Sequence, residues 1–252
     1  MPHAVHGQPE SRRRASDKAT KTTARNKKTN SSLQQQYENL RTMFDDSLLS
    51  TSLAASLRAK VITSRSPITR AVSLGLGSFA ERSKDQPRRL KQLAMFMAAA
   101  AQINALQATT GGPQLELFAQ DPTFTKPDIS FLTSLGIRVL KTPSPSEMGE
   151  AQSYIDPNTL VYSPFLTIEA YEALLSACSV NLLLGDDFQA LKRKFDKNTS
   201  DHHLVDRLGK THMAGLERRS LTGSGFWDAA EDQPFPMALY WKREVAARTS
   251  KL

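Results

Sequence analysis

The sequence contains a single cysteine, Cys178, among its 252 residues. One thiol excludes a disulfide framework within the chain and is typical of proteins from reducing compartments. The longest apolar-rich stretch, residues 93–101, is far shorter than the roughly 20 residues of a transmembrane helix. The N-terminus also lacks the apolar region of a secretory signal. These absences predict an intracellular protein that does not enter a membrane.

Net positive charge is small outside the first 30 residues. The chain has a net charge of +8, but residues 1–30 hold eight basic and two acidic residues, which leaves only +2 for the rest. The remainder therefore lacks a global basic field, and we expect no nucleic-acid binding beyond weak contacts of this segment. Its basic clusters also fit a nuclear-import signal, so we expect a cytoplasmic protein with nuclear import as a second location.

Recognisable catalytic motifs are missing as well. Ala80 replaces the third glycine of a dinucleotide fingerprint, and no nucleophile elbow or phosphate-binding loop occurs. The histidines at 202, 203 and 212 lack zinc-site spacing, so we expect no metal. Cys178 falls on the apolar face of a predicted helix, where burial in the core is a better interpretation than nucleophilic chemistry. The residues alone therefore predict no catalytic group.

Helical and strand-like segments alternate along most of the chain. Apolar residues at three- and four-residue spacing predict an N-terminal helix with a stripe from Leu33 to Leu48 and a second helix over 53–61. Short apolar runs then predict strands, and longer periodic segments predict helices between them. The predicted strands are residues 71–74, 115–118, 137–140, 159–162, 180–184 and 237–241, and the predicted helices are 89–106, 129–135, 168–178 and 188–195. The tract 197–220 is polar and ambiguous.

This alternation predicts an α/β fold: a Rossmann-like three-layer sandwich with a mainly parallel sheet of at least five strands, and strand 71–77 near its centre. Low hydrophobicity and high charge predict a disordered basic tail over residues 1–32. A helical segment, 33–62, follows and packs on the domain, 63–245, and a short tail, 246–252, ends the chain.

Several short blocks resemble the sensitivity-to-red-light-reduced family. They are Leu74-Gly75-Leu76-Gly77-Ser78-Phe79, Gln92-Leu93-Ala94, Asp121-Pro122-Thr123-Phe124, Tyr162-Ser163-Pro164 and Leu184-Gly185-Asp186-Asp187-Phe188. Their order and spacing over residues 60–190 carry the resemblance. It implies an intracellular regulatory protein, since members are associated with light signalling and the clock in plants and with regulation of haem synthesis in animals. No accepted enzymatic reaction comes with the family.

The sequence departs from the family pattern at two strand ends. Many members have Met-Pro-His-Cys after the fourth strand, where this chain has Ser163-Pro164-Phe165-Leu166. Many also have Gly-Asn-Ser after the fifth strand, where this chain has Gly185-Asp186-Asp187. Chemistry based on the histidine and cysteine is therefore not expected here.

The strand ends supply the candidate ligand site. Glycines in the first strand-to-helix turn permit close approach of a ligand, and an acid after the second strand can bind ribose hydroxyls. Carboxyl ends of parallel strands share one sheet edge, so these groups should meet there. The candidate residues are Gly75, Gly77, Ser78, Asp121, Pro164, Gly185 and Asp186. The alternatives are that the glycines only permit a tight turn, that Asp121 shapes an Asp-Pro turn, and that Asp186 and Asp187 cap the next helix.

Two functions from different classes remain open. The first is a non-catalytic regulatory or interaction protein with an unknown protein partner, which the family resemblance favours. The second is a nucleotide- or S-adenosylmethionine-binding enzyme of the methyltransferase type, which the glycine turn and Asp121 favour. No cofactor is required by the sequence, and S-adenosylmethionine or a nucleotide would fit the second function. Nucleic-acid binding has only the basic tail in its favour.

Overall fold

A computed structural model describes residues 32–62, 66–80, 84–142, 148–228, 232 and 236–242. The predictions for both chain ends, the basic tail up to residue 31 and the last residues 246–252, lie outside this part of the chain. The sheet consists of β1 (Arg70–Leu74), β2 (Glu116–Gln120), β3 (Ile137–Val139), β4 (Thr159–Ser163), β5 (Leu182–Asp186), β6 (Leu216–Leu221) and β7 (Met237–Lys242). The helices are α1 (residues 32–45), α2 (Leu48–Val61), α3 (Gln86–Ala108), α4 (Lys126–Ser134), α5 (Ile168–Ala177), α6 (Phe188–Lys194) and α7 (Ser200–Leu208).

The seven strands form one mainly parallel sheet in the order β3-β2-β1-β4-β5-β7-β6. Parallel pairing joins β3, β2, β1, β4 and β5, whereas β7 runs antiparallel to both β5 and β6. The α/β class, the parallel majority and the place of the first strand near the centre are thereby confirmed. Strand order reverses between β1 and β4, and this point positions the candidate site.

Two apolar cores lie on the two faces of the sheet. Helices α1 to α4 cover one face and α5 to α7 cover the other. β4 contributes side chains to both cores, because Leu160 and Tyr162 face the first core and Val161 faces the second. The Tyr162 hydroxyl donates to the carbonyl oxygen of Gln92 at 2.9 Å, which ties α3 to the sheet. The three-layer arrangement follows directly from this alternation.

The N-terminal helical stripe is shorter than the spacing predicts. Helix α1 ends at residue 45, and Ser47 begins α2 by accepting a hydrogen bond from the Ser50 amide at 3.1 Å. The break turns Leu48 outward, where 65% of it is exposed. The prediction that Leu48 extends the buried stripe is therefore wrong, because a capping serine interrupts the helix.

The ambiguous tract 197–220 contains α7, a π-helical turn at Gly209–Met213 and most of β6. β6 was not predicted because it is an edge strand with the sequence LERRSL and lacks an apolar alternation. The last predicted strand corresponds to β7. Tyr240 and Trp241 face opposite cores there, as the strand period predicts.

The C-terminal aromatic residues pack within the domain. Phe226 and Tyr240 are each 2% exposed, and Phe226 makes edge contacts with Phe44 and Trp227 at centroid distances of 4.9 and 5.0 Å. Packing within the domain therefore accounts for the burial of these two residues. Among the described residues, no helix combines the length and apolar character that crossing a bilayer requires.

Candidate functional site

The candidate site lies at the carboxyl edge of the sheet, beside the strand-order reversal between β1 and β4. Gly75 and Gly77 follow β1 and adopt positive φ values of 76° and 74°. The Gly75 amide donates to the Gln120 carbonyl oxygen at 3.1 Å. A Cβ atom on Gly77 would lie 2.6 Å from Nε of Arg89. The turn therefore requires glycine for both its backbone angle and its close packing.

Asp121 links the end of β2 to this glycine turn. Its Oδ2 accepts a hydrogen bond from the Gly77 amide at 2.8 Å. Its Oδ1 accepts bonds from the Thr123 amide at 2.8 Å and from the Thr123 hydroxyl at 2.6 Å. The carboxylate thus shapes the Asp-Pro turn and holds the glycine turn, in addition to lining the cleft described below.

A second carboxylate, Asp128, accepts hydrogen bonds from the residues that follow the glycine turn. It is fully buried and accepts five hydrogen bonds of 2.7–2.8 Å. Its Oδ1 receives the amides of Phe79 and Ala80, and its Oδ2 receives the Ser78 hydroxyl together with the amide and hydroxyl of Thr125. Ser78 therefore points into the protein. Sequence reasoning missed Asp128, although Thr125-x-x-Asp128 is the capping-box pattern that begins α4.

The predicted residues from β4 and β5 form a neighbouring cluster. Asp186 is 2% exposed, and both its oxygens accept from the Phe165 amide at 3.0 and 3.1 Å. The Tyr171 hydroxyl contacts Oδ2 of Asp186 at 3.2 Å and accepts from the Asp186 amide at 2.9 Å. Burial raises the pKa of Asp186 to about 6, although the Phe165 and Tyr171 hydrogen bonds oppose the shift.

This cluster maintains an unusual backbone angle. Phe165 follows the buried Pro164 and has a φ of 64°, a left-handed conformation that is rare for a bulky residue. The Phe165 ring lies 5.3 Å from the Arg88 guanidinium carbon and 6.3 Å from the Trp227 ring. Gly185 packs closely below, because a Cβ there would lie 2.8 Å from the Tyr171 hydroxyl oxygen. The cluster therefore orders the β4–α5 connection.

Asp187, the other member of the acidic pair, has a different role. It caps α6 by accepting from the Gln189 amide at 3.0 Å, which confirms the capping interpretation for this residue. It also forms an ion pair with Arg218 of β6, with contacts of 2.9 and 2.5 Å. Burial opposes ionisation, but the Arg218 hydrogen bonds and charge prevail and lower the pKa of Asp187.

A cleft opens beside the glycine turn. A cavity of about 1230 Å³ adjoins a smaller one of about 240 Å³, and the two share Pro122, Thr142, Met148 and Ala173. Of the predicted residues, Asp121 lines the larger cavity and Gly75 the smaller. Gly77 lines neither cavity itself, but its amide is hydrogen-bonded to Asp121. The other predicted residues that line neither cavity are Ser78, Pro164, Gly185 and Asp186.

The wall that sequence reasoning missed is formed by α5. Ala170, Ala173 and Ala177 lie at helical spacing and line these cavities, so the small side chains leave room beside the sheet. This spacing was visible in the sequence. Its position opposite the β2 and β3 ends was not, because it depends on how α5 crosses the sheet.

Other reactive groups do not join this site. Within the described ranges, no set of three His, Cys, Asp or Glu residues could hold a metal ion. Cys178 follows the last turn of α5 and is half-buried, and burial raises the pKa of its thiol. The expectation that it lies within the helix is wrong by one residue, since the backbone is already extended there.

Comparison with known proteins gives one family and several distant structural likenesses. The SRR1 domain matches residues 23–234. No curated protein matches the chain.

Three solved structures show the structural likenesses. The plantazolicin methyltransferase BpumL, bound to SAH and a desmethylPZN analog, is 11% identical with a TM-score of 0.39, covering 84% of this chain and 90% of that one. Aeropyrum pernix fibrillarin with S-adenosyl-L-methionine is 12% identical with a TM-score of 0.38, covering 74% and 73%. The small RNA methyltransferase HEN1 is 14% identical with a TM-score of 0.37, covering 78% of this chain and 25% of that one. Likeness at this level carries no functional argument.

Proposed function

The chain belongs to the SRR1 domain family, and from that membership we propose that it is a non-catalytic regulatory protein that acts by binding other molecules. The family association implies regulation of light signalling, of the clock or of haem synthesis. A protein partner is part of this proposal. So is a cytoplasmic location with nuclear import directed by residues 1–30.

One observation carries the non-catalytic proposal: three aspartates at the sheet edge are hydrogen-bonded by their own chain. Asp121 accepts three hydrogen bonds, Asp128 accepts five, and Asp186 holds the Phe165 amide. A general acid or base needs a free position toward a substrate. These carboxylates instead stabilise turns.

The β4–α5 connection supports the same proposal. The Ser163-Pro164-Phe165-Leu166 block offers a phenyl ring and an isobutyl group where many family members carry histidine and cysteine. Phe165 packs against Trp227, and Leu166 lines the smaller cavity. Neither side chain can transfer a proton or act as a nucleophile.

The alternative is a nucleotide- or S-adenosylmethionine-binding enzyme of the methyltransferase type. The specific observation in its favour is the cleft, because open α/β sheets bind ligands outside the carboxyl ends of strands where strand order reverses. Gly75 and Asp121 line the cleft. The Asp121 oxygens retain lone pairs that ligand hydroxyls could use.

Calorimetric titration distinguishes the two functions. We expect no saturable binding of S-adenosylmethionine, NAD or a short DNA duplex at millimolar concentration. If one of them binds, the enzyme alternative predicts that Asp121→Asn weakens binding roughly tenfold, since a hydrogen bond to a charged group contributes about 1.5–3 kcal/mol. Glu116→Gln, at the opposite end of β2, is the matched control. Saturable binding with methyl transfer to an acceptor would refute the non-catalytic proposal.

The regulatory part is tested in cells that lack the gene. We expect altered haem content or altered light-regulated transcripts, and we expect both the wild type and Asp121→Asn to restore them. Restoration by the wild type alone would indicate that the cleft is required. For the location, residues 1–30 fused to a fluorescent reporter should enrich it in the nucleus, and an unchanged distribution would remove that proposal.

A further inference from the structure

The charge of the folded region is unevenly distributed. Residues 188–221 contain eight basic and four acidic residues, a net charge of +4. Residues 31–187 contain thirteen basic and fifteen acidic residues, a net charge of −2. The segment that forms α6, α7 and β6 is therefore the basic part of the domain. Such a local surplus attracts anions even where the whole domain is close to neutral.

A cavity of about 330 Å³ lies within this basic segment, between α6, α7 and the β6–β7 pair. Its apolar wall consists of Phe188, Val205, Met213 and Leu216. This volume is at the lower end of the roughly 300–1,000 Å³ that is usual for small-molecule sites. The cavity can hold a compact ligand with an apolar body.

Two lysines at this cavity share a single carboxylate. Lys192 of α6 and Lys210 of the π-helical turn both contact Asp206, the latter at 2.6 Å. The hydrogen bonds from both ammonium groups lower the pKa of Asp206 to about 2. The lysine side chains are 46% and 74% exposed, so these ion pairs are weak and can rearrange around a ligand.

The third cation, Arg218, is neutralised by its own partner. Arg218 lines the cavity, and its guanidinium group forms a two-contact ion pair with Asp187. Among the charged residues that line the cavity and their direct ion-pair partners, three cations therefore meet two carboxylates, which leaves one net positive charge. A single negative charge on a ligand would balance it.

The π-helical turn is the local device that brings the second lysine to the cavity. Gly209–Met213 replaces the end of α7 and contributes Gly209, Lys210 and Met213 to the lining. π-helical turns are rare and frequently occur at functional sites. A regular helix would place these side chains at a different rotation about the axis.

We propose that the cavity between α6, α7 and β6 binds an organic monocarboxylate with a small apolar body. The ligand carboxylate lies between Lys192 and Lys210, and its apolar body contacts Phe188 and Met213. This site is distinct from the cleft at the carboxyl edge, so it does not depend on the function proposed above.

The test uses the full-length chain and benzoate as the probe, with benzamide as the uncharged control of similar shape. NMR titration should show saturable binding of benzoate and none of benzamide. Lys210→Gln should weaken benzoate binding at least fivefold. Asp206→Asn should tighten it severalfold, because it removes the carboxylate that competes for both lysines.

Arg207→Gln is the matched control for charge. Arg207 lies on α7 and pairs with Glu172 but does not line the cavity, so benzoate binding should be unchanged. Equal binding of benzamide, no saturable binding of benzoate, or an unchanged affinity in Asp206→Asn would overturn the proposal. Tighter binding of phenyl phosphate than of benzoate would overturn the assignment to a singly charged ligand.

Discussion

Replacing Asp128 tests whether a buried carboxylate holds the glycine turn. Asp128→Ala removes the acceptor for five donors, including the amide of Phe79, whose residue is fully buried. A buried donor that loses its partner costs about 1–3 kcal/mol. Water can reach some of the five after relaxation, so we expect the free energy of unfolding to fall by about 3–5 kcal/mol. That is a large part of the roughly 5–15 kcal/mol that stabilises a typical domain.

Asp128→Asn is the matched variant. The amide oxygen can still accept from Phe79 and Ala80, and the hydroxyls of Ser78 and Thr125 can rotate to accept from the new NH₂ group. Only the Thr125 amide then faces another donor. We therefore expect a loss of about 1–2 kcal/mol, close to that of one unmade hydrogen bond.

Urea unfolding followed by tryptophan fluorescence measures both variants. Hydrogen exchange at the amides of Phe79 and Ala80 provides the local measurement, since protection should be lost in Asp128→Ala and kept in Asp128→Asn. A cost below about 1 kcal/mol for Asp128→Ala would refute the reasoning, because one unsatisfied buried donor alone should exceed it. Equal costs for the two variants would show that the lost negative charge, and not the number of hydrogen bonds that remain, determines stability at this position, because Asn keeps the side-chain volume of Asp.

The remaining predictions concern Asp186, the glycine turn and the N-terminal segment. Burial raises the pKa of Asp186 from 3.8 to about 6, so the folded state binds more protons than the unfolded state between these values and stability falls as pH rises through them. The shift corresponds to about 3 kcal/mol, and Asp186→Asn, which cannot ionise, should abolish that decline in a thermal melt series; an unchanged slope would contradict it. Gly77→Ala should cost about 2 kcal/mol more than Gly136→Ala, because both have positive φ but only Gly77 would place a Cβ against Arg89; equal melting temperatures would disprove the steric argument. Deleting residues 1–30, which hold eight basic residues and few large apolar ones, should leave the melting temperature within about one degree, and a loss of several degrees would show that this segment contributes to folding.

Local patterns predicted the order of most elements, because buried strands and amphipathic helices carry their periodicity in the chain. β6 was not predicted because its own sequence lacks an apolar alternation. Its stability comes from pairing with β7 and from the ion pair between Arg218 and Asp187. The helix break before Leu48 depends on the cap formed by Ser47. The regular apolar spacing across this position gives no sign of the break. Asp121 was identified as a site residue, yet its bond to Gly77 spans 44 positions and no local rule predicts it. The cleft beside α5 likewise follows from helix placement.

The two edge strands, β3 and β6, determine whether the sheet can pair with strands of other molecules at high protein concentration. β3 has only three residues, and β6 presents Glu217, Arg218 and Arg219 in succession. A short strand offers few unpaired amides, and adjacent charges must be desolvated before another strand can pair with them. Within the described part of the chain, neither edge strand is therefore a good template for pairing with a strand of another molecule. Edge-to-edge pairing through β3 or β6 is therefore disfavoured even at high protein concentration.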